Sequence, residues 1–145
     1  MLGNLIKQVK YVRWLSTLVT AGKDAANVAS SAIDCAGFDR VLVALEVGAT
    51  ATQNGTLKFF LSECDTASGE FTAITGATIG THTFAASGEA KKTHIIDCKL
   101  TKRYLKINYQ RETQNSTIDS GIYMLYNAKK TPVEADDSIK NSVVI

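Results

Sequence analysis

Apolar and polar residues alternate with a period of two along much of the chain, as they do in β-strands with one buried face. The alternation predicts strands in five longer segments: residues 40–47, 56–64, 92–98, 103–109 and 121–126. Shorter candidates are residues 9–15, 31–34, 69–74 and 81–84. In the segment 56–64, for example, Leu57, Phe59 and Leu61 share one face.

Two local features add to this pattern. The connection between residues 40–47 and 56–64 ends in Asn54-Gly55, a dipeptide that tolerates positive φ at both positions, so we predict a hairpin there. Residues 2–14 fit an amphipathic helix as well as a strand. The Val, Tyr and Trp side chains near the end of this stretch favour the strand.

The order of these elements predicts an all-β fold, because no helical segment separates the strands. About eight short strands in one domain favour an antiparallel, jelly-roll-like β-sandwich with extended N- and C-terminal arms. We expect residues 1–15 to form an N-terminal arm or first strand, residues 16–127 the β-sandwich and residues 128–145 a C-terminal tail.

Composition narrows the class of protein. The chain has 145 residues, 45% of them hydrophobic, which suits one folded domain and excludes global disorder. The net charge of +2 argues against a nucleic-acid partner. No window approaches the roughly 18 to 20 apolar residues of a membrane helix, and the N-terminus does not resemble a secretory signal. We therefore expect neither a membrane partner nor export by such a signal.

Candidate catalytic and metal-binding residues are sparse. His82 and His94 lack nearby ligands at zinc spacing, so we predict structural roles, in a loop and on a strand respectively. Residues 75–81 contain two glycines but no lysine of a phosphate-binding loop, so we predict an ordinary loop. No G-x-S-x-G elbow is present. We expect no enzyme and no cofactor.

The acidic residues and the cysteines are explained by ordinary structural roles. Glu63, Asp65 and Glu70 do not have calcium-loop spacing, and we interpret them as a solvated hairpin turn. The cysteines are odd in number and widely spaced, which is typical of small buried hydrophobes in a reducing cytosol. A Cys35–Cys98 bridge is the alternative.

Aromatic residues raise one further alternative. A sugar-stacking platform, as in carbohydrate-binding sandwiches, has candidate members in Trp14, Tyr104, Tyr123 and Tyr126. Aromatic residues make up only 8% of the chain, and ordinary packing between the sheets explains them as well.

The two ends of the chain are the candidate contact regions, because they carry apolar residues that a sandwich of this size does not need for its core. We predict contacts with partner proteins at Leu2, Leu5, Ile6, Val9, Tyr11, Trp14, Pro132, Val133, Val143, Val144 and Ile145. A flexible terminus is the alternative interpretation of each end.

Four segments carry a resemblance to a known family. They read KQVKYVRWL at residues 7–15, AIDCAGFDRVLV at 32–43, GTLKFFLSECDTASGEFT at 55–72 and KRYLKI at 102–107. Their order and spacing resemble those of small virion proteins of tailed bacteriophages. Cys35 departs from the small polar residue usual there, and residues 127–133 replace the family's G-H-P-x-x-A-P ending.

The resemblance implies a capsid decoration, or cement, protein with a β-sandwich fold. Its implied partners are the major capsid protein and further copies of itself, often as a trimer, on the surface of a virion assembled in the host cytoplasm. A carbohydrate-binding module displayed on the virion and a tail or head–tail connector protein remain the alternatives.

Overall fold

The computed structural model describes residues 8–15, 19–20, 26–48, 55–84, 92–111 and 117–129. Within these ranges the chain forms nine strands: β1 Lys10–Leu15, β2 Val28–Ala29, β3 Ile33–Asp34, β4 Phe38–Val47, β5 Gly55–Cys64, β6 Thr72–Phe84, β7 Thr93–Lys99, β8 Tyr104–Gln110 and β9 Ile118–Ala128. No helix in this part of the chain is long and apolar enough to cross a membrane.

The strands form two antiparallel sheets. Sheet A has the order β1-β9-β4-β7, and sheet B has the order β2-β8-β5-β6, with β3 also pairing with β8. Because β2 and β3 lie one after the other along the same edge of β8, they act as one interrupted strand. The connections β2–β3 and β5–β6 stay within sheet B, and every other connection crosses between the sheets. With β2 and β3 counted as one strand, this is the eight-strand order of a jelly roll. The predicted jelly-roll-like sandwich is confirmed.

The core lies between the two sheets, where alternate residues of each strand meet. On β4 the inward residues Val41, Val43 and Leu45 are fully buried, as the period-two pattern predicts. The other large side chains with less than 2% exposure belong mostly to β5, β8 and β9: Leu57, Phe59, Leu61, Leu105, Ile107, Ile118 and Leu125. Burying each such side chain contributes about 1.5–3 kcal/mol to folding.

One end of the sandwich carries the long connections. Val47 lies opposite Ile118 in sheet A, and Gly55 lies opposite Phe84 in sheet B. The connections after β1, β4, β6 and β8 therefore share this end, which we call the loop end.

The opposite end carries the turns at residues 35–37, 65–71 and 100–103. The start of β1 and the end of β9 also lie here, because β1 runs antiparallel to β9 with Lys10 opposite Leu125. The segment before β1 and the segment after β9 thus join neighbouring strands at one end of the molecule. We call it the termini end.

The predicted hairpin between β4 and β5 is wrong. β4 pairs with β7 and β9 in sheet A, whereas β5 pairs with β6 and β8 in sheet B. The Asn-Gly pair indicates where the chain can turn, but it carries no information on which sheet receives the next strand. Residues 48–54 are enough to cross the roughly 10 Å between two packed sheets. Asn54 itself lies outside the described residues.

The predicted loop at residues 75–81 is also wrong, because these residues belong to β6. Glycine lowers strand propensity, which is why the sequence suggested two short strands with a loop between them. The register of β6 against β5 shifts twice, and Gly76 adopts a φ of 82°, so bulges absorb the irregular stretch without ending the strand. His82 was also expected in a loop, and it lies on strand β6 instead.

Candidate interaction surface at the termini end

A bidentate ion pair joins two turns of the termini end. Arg103 donates from Nε to Asp34 Oδ1 at 3.0 Å and from Nη2 to Asp34 Oδ2 at 2.8 Å. Asp34 Oδ1 also accepts the backbone N–H of Ala36 at 3.0 Å, so one carboxylate fixes the turns at 35–37 and 100–103. The hydrogen bond from Arg103 holds the pKa of Asp34 below its ordinary value.

A second carboxylate, Glu63, fixes the 100–103 turn from inside the sandwich. It is only 9% exposed and accepts the backbone N–H groups of Thr101 and Lys102, each at 3.2 Å, together with the Thr101 hydroxyl. A buried carboxylate without partners would be strongly destabilising, and these three donors compensate for its loss of water. The turn between β7 and β8 is therefore anchored to β5 of sheet B.

The C-terminal end of β9 is anchored to the 35–37 turn. Asn127 has a φ of 56°, in the left-handed region that asparagine tolerates, and its Nδ2 donates to Asp39 Oδ2 at 3.3 Å. The backbone N–H of Lys129 donates to the Gly37 carbonyl at 2.8 Å, and Lys129 Nζ lies 3.5 Å from Asp39 Oδ1. The strand is thus fixed where the C-terminal segment begins.

A polar cluster on the outer side of sheet A lies next to this end. Arg40 donates from Nε to the Tyr126 hydroxyl at 2.6 Å and from Nη2 to Asp97 Oδ1 at 3.0 Å. The Tyr126 hydroxyl donates to the same Asp97 oxygen at 2.5 Å. These contacts link β4, β7 and β9 and raise the pKa of Arg40, chiefly through its hydrogen bond to Tyr126. The termini end is therefore a pre-ordered surface, which lowers the entropic cost of binding a partner.

The predicted contact residues fall into two groups. Eight lie outside the described residues: Leu2, Leu5, Ile6, Pro132, Val133, Val143, Val144 and Ile145. Val9 is buried with 6% exposure, and Trp14 packs against the core with its ring centroid 6.3 Å from that of Tyr109. Tyr11 is 43% exposed, so it is the member of the described group that can contact a partner directly.

Tyr11 belongs to an apolar band that the sequence interpretation missed. The band crosses the outer side of all four strands of sheet A, and we call it the sheet-A face: Tyr11, Leu42, Ala44, Ile95, Ile122 and Met124. A usable sequence signal was present, because residues 41–45 and 122–125 contain no charged residue and no alternation. Such runs indicate strands with apolar side chains on both faces.

The four aromatic residues considered for sugar stacking do not form one platform. Tyr123 is buried at 8% exposure and faces the interior with Trp14. Tyr104 lies on sheet B, where the Arg103 guanidinium is 5.1 Å from its ring centroid. Tyr126 lies on the outer side of sheet A. Packing within and between the sheets accounts for these rings.

The remaining candidate residues take structural positions. His94 lies on strand β7 as predicted, and the β5–β6 turn is a hairpin turn as predicted, with Asp65 and Glu70 exposed. Glu63 corrects that prediction, since it is buried rather than solvated. Among the described residues no group of three or more His, Cys, Asp or Glu side chains is placed to hold a metal ion.

All three cysteines are free thiols, so the Cys35–Cys98 bridge is not formed. Burial is the main cause that raises the pKa of Cys35 to about 12 and that of Cys98 to about 11. Both thiols therefore stay protonated and unreactive at neutral pH.

Clefts open on the described surface at the sandwich edge and at the loop end. One, of about 310 Å³, lies at the sandwich edge between β1 and the chain around β3 and is lined by Lys10, Val12, Trp14, Ser30, Ser31, Ala32, Ile33, Asp34 and Tyr123. The other, of about 350 Å³, lies at the loop end and is lined by Glu46, Val47, Lys92, Thr93 and Asp119.

Comparison with known proteins adds evidence on the fold alone. No protein-family model matches the sequence, and no curated protein resembles it significantly. Among solved structures, the PBSX exported protein XepA superposes with a TM-score of 0.52 and 14% identity over 100% of this chain and 46% of that one. This likeness supports the β-sandwich architecture.

Two further structures are more distant. The CBM22-1–GH10 modules of xylanase Xyn10B from Clostridium thermocellum give a TM-score of 0.41 and 13% identity, over 92% of this chain and 28% of that one. The structure of infectious bursal disease virus strain Gx gives a TM-score of 0.44 and 14% identity, over 86% of this chain and 33% of that one. The chain thus spans less than half the length of each of these three proteins.

Proposed function

We propose that the chain is a structural protein of a bacteriophage virion, a decoration protein that binds the outside of the assembled head and stabilises it. The observation that carries the proposal is the shared exit of both chain ends. The segments 1–7 and 130–145, which hold eight of the eleven predicted contact residues, join β1 and β9 side by side at the termini end. Two apolar segments can therefore engage one partner surface together.

The termini end itself supports this role. Asp39 holds the last residues of β9, and β1 is paired with β9 from Lys10 onward, so the roots of both segments have a fixed position. A fixed root raises the effective concentration of the second segment once the first has bound. Repetition over many sites of a shell then converts a modest affinity for each copy into a stable lattice.

One resemblance supports this class of protein, and a second supports the fold alone. The order of segments over residues 7–127 resembles small virion proteins of tailed bacteriophages, and the fold is similar to a protein described as PBSX exported protein XepA. The major capsid protein is the partner that we propose, and the protein acts as an oligomer on the shell.

The test is co-sedimentation with capsids that were assembled without this protein. We expect the full chain to pellet with the shells and to saturate at a fixed number of copies per capsid. Deletion of residues 1–7 or of residues 130–145 is expected to weaken attachment at least tenfold, and deletion of both to abolish it. Each deletion stops short of Lys10 and Lys129, because β1 and the end of β9 belong to the sandwich.

Unfolding curves of the deleted chains serve as the control for folding. Matching curves together with lost attachment support the proposal. Full-length protein that does not pellet with any shell, or doubly deleted protein that pellets as well as the full chain, contradicts it.

A further inference from the structure

The sheet-A face turns an apolar band away from the core. Strand register arranges it in two rows: Tyr11, Met124, Leu42 and Asp97 in one, and Arg13, Ile122, Ala44 and Ile95 in the next. Tyr11 and Ile95, at opposite edges of the sheet, expose 43% and 55% of their surface. The four residues between them, Leu42, Ala44, Ile122 and Met124, are half-buried, which makes the band a candidate protein–protein contact.

The band is flanked by rows of opposite charge. On the side of the termini end lie Lys99, Arg40 and Tyr126, and on the side of the loop end lie Thr93, Glu46 and Ser120. Arg40 uses Nε and Nη2 within its own chain, and Glu46 accepts the Ser120 hydroxyl through Oε2. Arg40 Nη1 and Glu46 Oε1 have no partner among the described residues.

We propose that the sheet-A face binds the same face of a second copy of this chain, about a two-fold axis that lies in the face at right angles to the strands. This axis exchanges the two flanking rows. Arg40 then faces Glu46 of the partner subunit at both ends of the contact. Between them the apolar residues of β4 and β9 meet, while Arg13 and Asp97 lie at the two edges of the contact. Such an interface is isologous and closed, so it limits assembly to a pair.

Charge selects this axis over the other two-fold arrangement. An axis parallel to the strands would place each flanking row opposite the equivalent row of the second copy. Arg40 and Lys99 would then face the cationic row of that copy. Like charges across an interface cost several kcal/mol, whereas opposite charges fix the register. A second copy thus matches the face in both polarity and charge.

Among the side chains that the structure describes, the outer side of sheet B has no comparable band. Lys58 Nζ lies 5.0 Å from the ring centroid of Phe60, and Lys106 Nζ lies 4.4 Å from that of Phe71. Asn108 donates to the Ser62 hydroxyl at 2.9 Å between them. Cations and amides cover the rings on this side, so the two faces of the sandwich are built for different surroundings.

The size of the face sets the expected affinity. With strand spacing of about 4.8 Å and a rise of about 3.4 Å per residue, four strands present roughly 450 Å² per copy. That area is below the roughly 800 Å² per partner of a stable complex, so we expect a dissociation constant between about 10 μM and 1 mM. The pair would be weak in solution and would strengthen when copies are held next to each other.

The test is sedimentation velocity of the full chain, without shells, from about 10 μM to about 1 mM. We expect the weight-average sedimentation coefficient to rise with concentration towards that of a dimer. Ile95→Asp is expected to keep the chain monomeric, because the new carboxylate lies opposite Asp97 of the partner subunit and the most exposed apolar side chain of the face is lost. Val28→Asp is the matched control, since Val28 is an exposed valine on an edge strand of sheet B.

Charge exchange tests the axis itself. Arg40→Glu and Glu46→Arg are each expected to weaken self-association at least tenfold, and an equimolar mixture of the two variants to associate at least as tightly as the unaltered chain. The mixture controls for the contacts that Arg40 makes with Asp97 and Tyr126, because loss of those contacts alone gives no rescue.

Any of three results would overturn the proposed pair. The chain could stay monomeric up to about 1 mM, Ile95→Asp and Val28→Asp could have equal effects, or the mixture of charge variants could fail to associate. These measurements involve no capsid, so their failure is distinct from a failure of shell attachment. The pair is proposed independently of the trimer that the family resemblance implies.

Discussion

Trp14 shows how one residue can determine the position of an edge strand. The register between β1 and β9 shifts between Arg13 and Leu15, so Trp14 occupies a bulge that aims its indole into the sandwich. Gly121 of β9 makes room for it, because a Cβ on Gly121 would lie 2.4 Å from Trp14 Cε2. The sequence indicated that Trp14 is apolar and lies on a strand, but the bulge and its glycine partner depend on tertiary packing that no local pattern contains.

Gly121→Ala is therefore expected to destabilise the fold by about 1–3 kcal/mol, because the indole is packed against Tyr109 and has little freedom to move. In a Trp14→Leu background the same substitution should cost at least about 1 kcal/mol less, since the clashing ring is gone. Urea unfolding followed by far-UV circular dichroism measures the cost in both backgrounds. Tryptophan fluorescence is unsuitable, because Trp14 is the 1 tryptophan of the chain and Trp14→Leu removes the signal. Equal costs in the two backgrounds would show that the contact is not the cause.

At the scale of elements, the strands were predictable and their partners were not. β4, β5, β7, β8 and β9 fall close to the segments with clear alternation, because a buried face imposes a period of two wherever the strand lies. Pairing depends on how the sheet closes, and this is why the β4–β5 hairpin was wrong. β6 was missed as one strand because its bulges, marked by the positive φ of Gly76, interrupt the alternation.

The Asp34–Arg103 ion pair is the contact between elements that gives the clearest pH dependence. Because the pKa of Asp34 is lowered in the folded state, its contribution to stability is complete above the ordinary aspartate pKa and is lost as the pH falls through the lowered folded value. We expect Asp34→Asn to lower the free energy of unfolding at neutral pH, by a small amount because the pair is surface-exposed. The difference from the unaltered chain should vanish in acid.

Urea unfolding at a series of pH values checks this prediction. Asp65→Asn is the matched control, because it removes an exposed carboxylate from the same end of the sandwich without contacting Arg103. A difference between Asp34→Asn and the unaltered chain that stays the same from neutral to strongly acidic pH would assign the effect to packing rather than charge.

At the scale of the whole molecule, the topology places the start of β1 and the end of β9 at the same end of the sandwich. The sequence suggested that both ends bind partners, because they carry apolar residues and because the chain resembles a family of virion proteins. Their shared exit beside β1 and β9 could not be predicted, because it depends on the pairing of the first strand with the last. The runs at 41–45 and 122–125 indicate two strands that are apolar on both sides, but the sheet-A face as a whole also depends on pairing, since its six residues come from four separated strands.

The central claim is that the termini end attaches this protein to a virion shell. Electron cryo-microscopy of capsids saturated with the full chain tests it most directly, because the sandwich can be oriented in the map from its two unlike ends. The account predicts ordered copies at fixed lattice positions, with the turns at 35–37 and 100–103 facing the shell. Ordered copies that face the shell with the loop end, or capsids that show no added density, would contradict it.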